Sequence, residues 1–156
     1  MFIAFELNSE VYSEFSYQFS ENSKEKLIDW FKEMGEYEDG EVAESDYYDS
    51  YSKNTIVNRY DVEIDDFFDV LEIHEVKKAK YYLVNWHAYD GVGFSVKGFD
   101  SLDEAHKTME TEFNEMWDWI DDVEEINGDK EDHIHSTHAS VDDDNEYIGW
   151  EIIERK

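Results

Sequence analysis

Three histidines near the end of the chain have a spacing that could bind a transition metal. His133, His135 and His138 form the pattern H-x-H-x2-H, and two histidines on one face of a strand can ligate such an ion. Asp132 and the aspartates at 142–144 could add a carboxylate. An exposed polar strand beside a turn also explains these residues. We predict neither a metal site nor a bound cofactor.

The remaining motifs argue against catalysis. Asp69 followed by Glu75-Val76-Lys77 resembles the D…ExK arrangement with which many nucleases hold a divalent metal. The leading Pro-Asp of that arrangement is missing, and a nuclease with a formal net charge of −29 would repel its own substrate. Calcium-loop and phosphate-loop patterns are absent. We predict a protein that is not an enzyme.

Charge dominates the composition of this 156-residue chain. It has 42 Asp and Glu against 13 Lys and Arg, so nucleic acids and anionic membranes should be repelled and basic proteins attracted. Hydrophobic residues make up 40% and aromatic residues 17%, which is enough for a packed core. Cysteine is absent, residues 1–20 do not resemble a signal peptide, and no apolar run could span a membrane. We expect a soluble cytoplasmic protein that binds neither nucleic acid nor membranes directly.

The segment "EMWDWIDDVEEIN" at 115–127 has six carboxylates and no Lys or Arg. On a helix, four of them would form a stripe at steps of three and four residues, opposite Met116 and Ile120. Like charges at that spacing cost about 0.2–0.5 kcal/mol each, and anions in the last turns cost roughly 0.3–1 kcal/mol each. A solvated helix face normally intersperses lysine, so this stripe favours a contact with a partner.

Two further segments repeat this pattern. Five acids between 61 and 75 step along a second predicted helix, and the long connection at 36–54 has seven carboxylates before its first lysine, with tyrosines among them. The residues that we predict to contact a partner are Glu38, Asp39, Glu41, Glu44, Asp46, Tyr47, Tyr48, Asp49, Asp61, Asp65, Asp69, Glu72, Glu115, Asp118, Asp121, Asp122 and Glu125.

The elements that position these residues follow from hydrophobic periodicity. In the first half, residues 2–7, 11–19 and 55–64 read as strands, and residues 65–74 as a helix with Phe67, Phe68 and Leu71 on one face. A helix over 22–34 has Asn22 or Ser23 as its N-cap, Leu27, Phe31 and Met34 on its apolar face, and Gly35 as its end.

The second half has clearer signals. Strands at 79–89 and 92–99 flank the turn Asp90-Gly91, and Ser101 with Glu104 opens a long helix that ends near Gly128. A last hairpin pairs 133–141 with 146–153. The core stripe of the long helix consists of Ala105, Met109, Phe113, Met116 and Ile120.

These elements predict an α+β fold, an antiparallel sheet with helices packed on it. The halves are 1–78 and 79–156, or one continuous domain, and the second has the order β-β-α-β-β. The first half repeats strand, turn, strand and helix at an offset of about 80 residues, which matches Phe19 with Phe99 and indicates a weak internal repeat.

The charge density is comparable to that of nucleic acid. Duplex DNA has one charge per about 1.7 Å, so 29 charges correspond to roughly 50 Å of duplex. A globule of this length has a diameter of roughly 40 Å. Carboxylates at helical spacing lie about 5–6 Å apart, similar to neighbouring phosphates. Such a surface could fill a basic DNA-binding cleft.

In size, lack of cysteine, acidity and the acidic runs "EYEDGEVAESDYYD", "DVEIDDFFD" and "DWIDDVEE", the chain resembles the acidic DNA-mimic anti-defence proteins of phages and mobile elements. This class includes anti-restriction and anti-CRISPR proteins and has no shared fold. The resemblance implies a stoichiometric inhibitor of a defence nuclease in the bacterial cytoplasm, either a CRISPR effector or a restriction enzyme. An immunity protein against a basic toxin nuclease, or acidity that serves solubility alone, remain alternatives.

Overall fold

A computed structural model describes residues 1–45, 55–88, 91–119, 128–142 and 147–156. Two α-helices, a short 3-10 helix at Lys130–His133 and nine strands occupy these ranges, which confirms the α+β class. The helices are α1 (Glu25–Gly35) and α2 (Leu102–Trp119). The strands are β1 (Phe2–Asn8), β2 (Ser16–Ser20), β3 (Ala43–Glu44), β4 (Ile56–Ile64), β5 (Phe67–Glu75), β6 (Tyr81–Ala88), β7 (Gly93–Phe99), β8 (His138–Asp142) and β9 (Tyr147–Glu154).

Each half of the chain builds its own antiparallel sheet. The first sheet has the order β2-β1-β5-β4-β3 and the second has the order β7-β6-β9-β8. Without the two-residue strand β3, both halves run β-β-α-β-β and place their four strands in the same order. The predicted internal repeat therefore extends over the whole of both halves.

The strand register confirms a repeat at an offset of 79 residues, which matches Phe99 with Ser20 and not with the predicted Phe19. Phe2 pairs with Ser20 on one side and Glu75 on the other. Tyr81 pairs in the same way with Phe99 and Glu154. Each position in the second set follows its counterpart by 79 residues, so the two halves are matched residue by residue at the centre of each sheet.

The two sheets pack face to face, and each helix covers the outer face of its own sheet. The inner core combines Phe5 and Val70 of the first sheet with Trp86 and Phe94 of the second. Leu27 of α1 packs against the outer side of the first sheet, while α2 packs through Met109, Phe113 and Trp117 against the second. The molecule therefore has four layers in the order helix, sheet, sheet, helix.

The prediction of a helix over 65–74 is wrong. These residues form a tight turn and strand β5, which pairs with both β1 and β4. Residues 69–74 are all buried, because β5 is a central strand with one face toward α1 and the other toward the second sheet. A strand covered on both faces loses the polar alternation that identifies a strand in sequence.

Smaller differences concern element ends and faces. The second strand begins at Ser16, and Lys24 precedes the first helical residue in place of the predicted N-cap. In the long helix Trp117 is buried and Met116 only partly so, while Ile120 lies outside the described residues. Neither helix in the described ranges is long and apolar enough for a membrane span.

Candidate acidic interface

One end of the sandwich, which we call the acidic end, brings together the turns of both sheets. A cavity there is lined by Ser9 and Asp66 from the first sheet and by Ala88 and Gly91 from the second. Ser9 and Ala88 are equivalent in the repeat, because they too differ by 79 positions. The equivalent ends of the two halves therefore lie side by side.

Some of the basic residues lie at the other end, beside several acids. Strand β5 runs about 30 Å from the acidic end to the linker that joins the two halves. Five of the 13 basic residues lie in 77–80 and 155–156, at this linker end. Glu21 pairs there with Lys78 and, at 3.7 Å, with Arg155.

An open groove at the acidic end has a volume of about 840 Å³ and is lined by five carboxylates. They come from the segment after α1 and from the β4–β5 hairpin, two regions that the fold brings together. No Lys or Arg is among the described residues that line it. The five are Glu36, Glu41, Asp61, Glu63 and Asp65. Three of these, Glu41, Asp61 and Asp65, were predicted partner contacts.

The end of α1 fixes one wall of this groove. Glu36 takes up left-handed backbone (φ 56°), and the Tyr37 N–H donates to the Lys32 carbonyl at 2.9 Å, which closes the helix. A Cβ at Gly35 would come within 2.0 Å of the Tyr37 ring, so only glycine lets that ring lie against the helix end. Across the groove Asp65, also left-handed (φ 51°), turns β4 into β5.

A buried carboxyl pair lies behind the groove. Asp69 is 4% exposed and Glu6 is 9% exposed. Burial, and then the adjacent Asp69, raise the pKa of Glu6 to about 8, so Glu6 is protonated at neutral pH and can donate a hydrogen bond to Asp69. This contact is loose, since Asp69 Oδ1 has no partner of good hydrogen-bond geometry among the described residues. The Tyr37 hydroxyl donates to Asp69 Oδ2 and ties the groove wall to the sheet.

A second buried network lies between the sheets. Glu72, which is fully buried, accepts a bond from Arg59 Nη1 at 2.9 Å through Oε1, and its Oε2 lies 3.0 Å from His74 Nε2. Arg59 Nη1 also donates to the Val92 carbonyl at 2.5 Å, and Nε donates to Asp61 at 3.1 Å. The guanidinium therefore connects the first sheet to the second.

Sequence reasoning missed this network because it misread β5. Arg59 and Glu72 are directly paired across the β4–β5 hairpin. A strand at 65–74 that is joined to the strand at 55–64 by the turn Asp65-Asp66 has a register that pairs Arg59 with Glu72. Asp69 and Glu72, both predicted partner contacts, lie inside the fold and add nothing to its surface.

The other predicted contacts in the first half that the structure describes are exposed and follow α1 in the chain. Glu38, Asp39 and Glu44 are exposed, and Lys32 pairs with Asp39 at 2.8 Å and lowers the pKa of that carboxyl. Asn58 donates to Glu44 at 2.8 Å. The predicted contacts Asp46, Tyr47, Tyr48 and Asp49 lie outside the described residues.

The acids of α2 occupy the opposite outer layer. Glu115 and Asp118 are exposed, with Lys130 3.6 Å from Asp118, and Trp119 beside them is 79% exposed. Glu115 and Asp118 lie in the last turns of α2, and Glu36 and Glu38 directly follow α1, so both halves place acids near the end of their helix. The predicted contacts Asp121, Asp122 and Glu125 lie outside the described residues.

The metal motifs gain no support from geometry. Within the described ranges no group of three or more His, Asp or Glu side chains is arranged to hold a metal ion. His133 packs against the Trp117 ring with centroids 5.2 Å apart, and burial lowers the pKa of His138. Asp69 and Glu75 are six residues apart on one strand, a distance of about 20 Å, so they cannot share a metal.

Comparisons with protein-family models, curated proteins and solved structures gave no match to this chain.

Proposed function

We propose that this protein is a non-enzymatic inhibitor whose acidic end occupies the basic nucleic-acid-binding site of a bacterial defence nuclease, of the CRISPR or restriction type. The observation that supports the proposal most is the groove lined by five carboxylates with no Lys or Arg among its described lining residues. Such a surface costs folding free energy through self-repulsion. A cationic partner that neutralises it would recover that free energy.

The carboxylates are spread rather than converged. Alternate residues on a strand lie about 6.6–6.8 Å apart, as do Asp61 and Glu63 on β4. The turn residue Asp65 follows them, and Glu36 and Glu41 line the same groove from the segment after α1. A row of separated charges fits the lysines and arginines that follow a phosphate backbone. It does not fit a single metal ion, which needs its ligands around one point.

A charge-neutral variant of the groove tests the proposal. We expect E36Q/E41Q/E63Q/D65N to lose about tenfold or more in its ability to displace labelled duplex DNA from a nuclease captured from a bacterial lysate. The matched control D29N/D100N/D103N/E104Q removes the same four charges from exposed positions outside the groove. Equal loss in both variants would mean that net charge, and not the groove, carries the inhibition.

An exposed aromatic ring favours a second candidate, an immunity protein against a basic toxin nuclease. Phe68 is 48% exposed at the groove, beside Tyr37. A pure phosphate mimic has no use for an exposed ring, whereas protein interfaces commonly place aromatic anchors among polar groups. If Phe68→Ala weakens binding to a toxin nuclease more than the charge variant does, the immunity function is supported.

A further inference from the structure

A partly enclosed pocket lies next to the acidic groove, between the two sheets. It has a volume of about 470 Å³, within the range of roughly 300–1,000 Å³ that is typical of ligand sites. Val70, Ala88 and Val92 form its apolar floor and are each at least 95% buried. Large rings fill the centre of the sheet interface, where Phe5 stacks on Phe94 at 5.1 Å, and the smaller side chains at this end leave the space.

Hydrogen bonds fix the rim of this pocket. The Ser9 N–H donates to the Phe68 carbonyl at 2.8 Å, and the Phe68 N–H donates back to Ser9 Oγ at 2.8 Å. These bonds extend the β1–β5 ladder by one residue and hold the Phe68 ring at the entrance. Because Phe68 also lines the groove, the pocket and the groove share one wall.

The charges around the pocket favour a cation. Its lining contains Arg59, Asp61 and Asp66. The Arg59 guanidinium is already balanced by Glu72, which lies 2.9 Å away and is fully buried. The same guanidinium also binds Asp61 at 3.1 Å, so one cation is shared by two carboxylates and, with the exposed Asp66, the surroundings of the apolar floor have an excess of negative charge. A long aliphatic chain that ends in a positive group matches both properties.

We infer that this pocket receives one arginine or lysine side chain of the protein partner, with its aliphatic part on the floor and its charged end at Asp61 and Asp66. The inference rests on the proposed function, because a protein that binds nucleic acid offers many such side chains. The pocket would give the partner one defined anchor residue in addition to the charge contacts along the groove. The anchor would distinguish a true partner from any polycation.

The hairpin turn provides a matched pair of variants. Asp66 lines the pocket, whereas its neighbour Asp65 lines the groove. Asp66→Asn and Asp65→Asn remove the same charge one residue apart, and asparagine tolerates the left-handed backbone of Asp65. Both side chains are exposed, so neither variant should impair folding.

The test is an NMR titration of the full chain with N-acetyl-arginine amide, using the neutral isostere N-acetyl-citrulline amide as the control ligand. We expect saturable shifts at the Ser9, Ala88 and Val92 amides with the arginine ligand only. Asp66→Asn should weaken its Kd by about 1.5- to 5-fold, as for one exposed ion pair, and Asp65→Asn should leave it unchanged. Ala88→Leu, which fills the pocket, should abolish the shifts.

Three results would overturn the inference. These are shifts spread over exposed acids without saturation, equal binding of the citrulline ligand, or much tighter binding of free arginine, which would indicate a metabolite site. The titration needs no nuclease, so it separates the two proposals. Binding of the arginine ligand without nuclease inhibition would refute the proposed function alone, and inhibition without pocket shifts would refute the pocket alone.

Discussion

The buried Glu6–Asp69 pair makes the stability of the protein depend on pH. Burial and the neighbouring carboxyl raise the pKa of Glu6 from 4.5 to about 8, so between these values the folded protein holds a proton that the unfolded chain has lost. This contribution to stability is complete below about pH 4.5, declines as pH rises, and is lost above about pH 8.

Glu6→Gln should remove this dependence, because glutamine can donate to Asp69 at every pH. We expect the free energy of unfolding of the variant, relative to the wild type, to rise by up to about 1.4 kcal/mol per pH unit between pH 5 and 8 and then to level off. Urea unfolding at several pH values measures it. Glu10→Gln, an exposed carboxyl in the next loop, is the control. A constant difference across the window would show that Glu6 does not titrate there.

The buried ion pair between the sheets gives a second expectation. Arg59→Met leaves the fully buried Glu72 without its cation, and breaking a buried pair costs about 3–5 kcal/mol. The double variant Arg59→Met/Glu72→Met should recover much of this loss, since no charge then remains unpaired. Chemical denaturation of the two single variants and the double variant measures the coupling. Additive losses would mean that the two groups act independently.

The sequence predicted the elements that have local signals, but it did not predict the central strand β5. The Asp90-Gly91 turn and the Ser101 cap predicted β6, β7 and α2, because turn and cap chemistry is local. Strand β5 could not be recognised, since its burial on both faces comes from partners distant in sequence. The acidic groove shares that limit. Three of its five acids were predicted, but the contact of the α1 end with the β4–β5 hairpin depends on that strand.

The packing leaves no room for a side chain at Gly149, but it leaves room for one at Gly40. A Cβ at Gly149 would lie 2.4–2.7 Å from the Trp86 ring, whereas a Cβ at Gly40 meets nothing within 4 Å. We expect Gly149→Ala to destabilise the protein by about 1–3 kcal/mol through overpacking, and Gly40→Ala to change it by less than about 0.5 kcal/mol. Thermal melts of both variants measure this. A neutral Gly149→Ala would show that the Trp86 ring can move away from its neighbour on β9.

The whole molecule carries a formal net charge of −29. Self-repulsion should therefore limit stability, and added salt should relieve it. We expect Tm to rise between low and moderate sodium chloride, by about 2–4 °C for each kcal/mol of repulsion that is screened. The groove variant E36Q/E41Q/E63Q/D65N should gain less from salt than the wild type. A Tm that falls over this range would contradict the expectation.

The central proposal is that the acidic end and nucleic acid compete for one site. Native mass spectrometry of a captured nuclease, mixed with a short duplex and an excess of this protein, tests it directly. We predict only binary complexes, nuclease with duplex or nuclease with protein, in proportions that follow their concentrations. A ternary complex of all three would show that the protein binds elsewhere, and would contradict nucleic-acid mimicry.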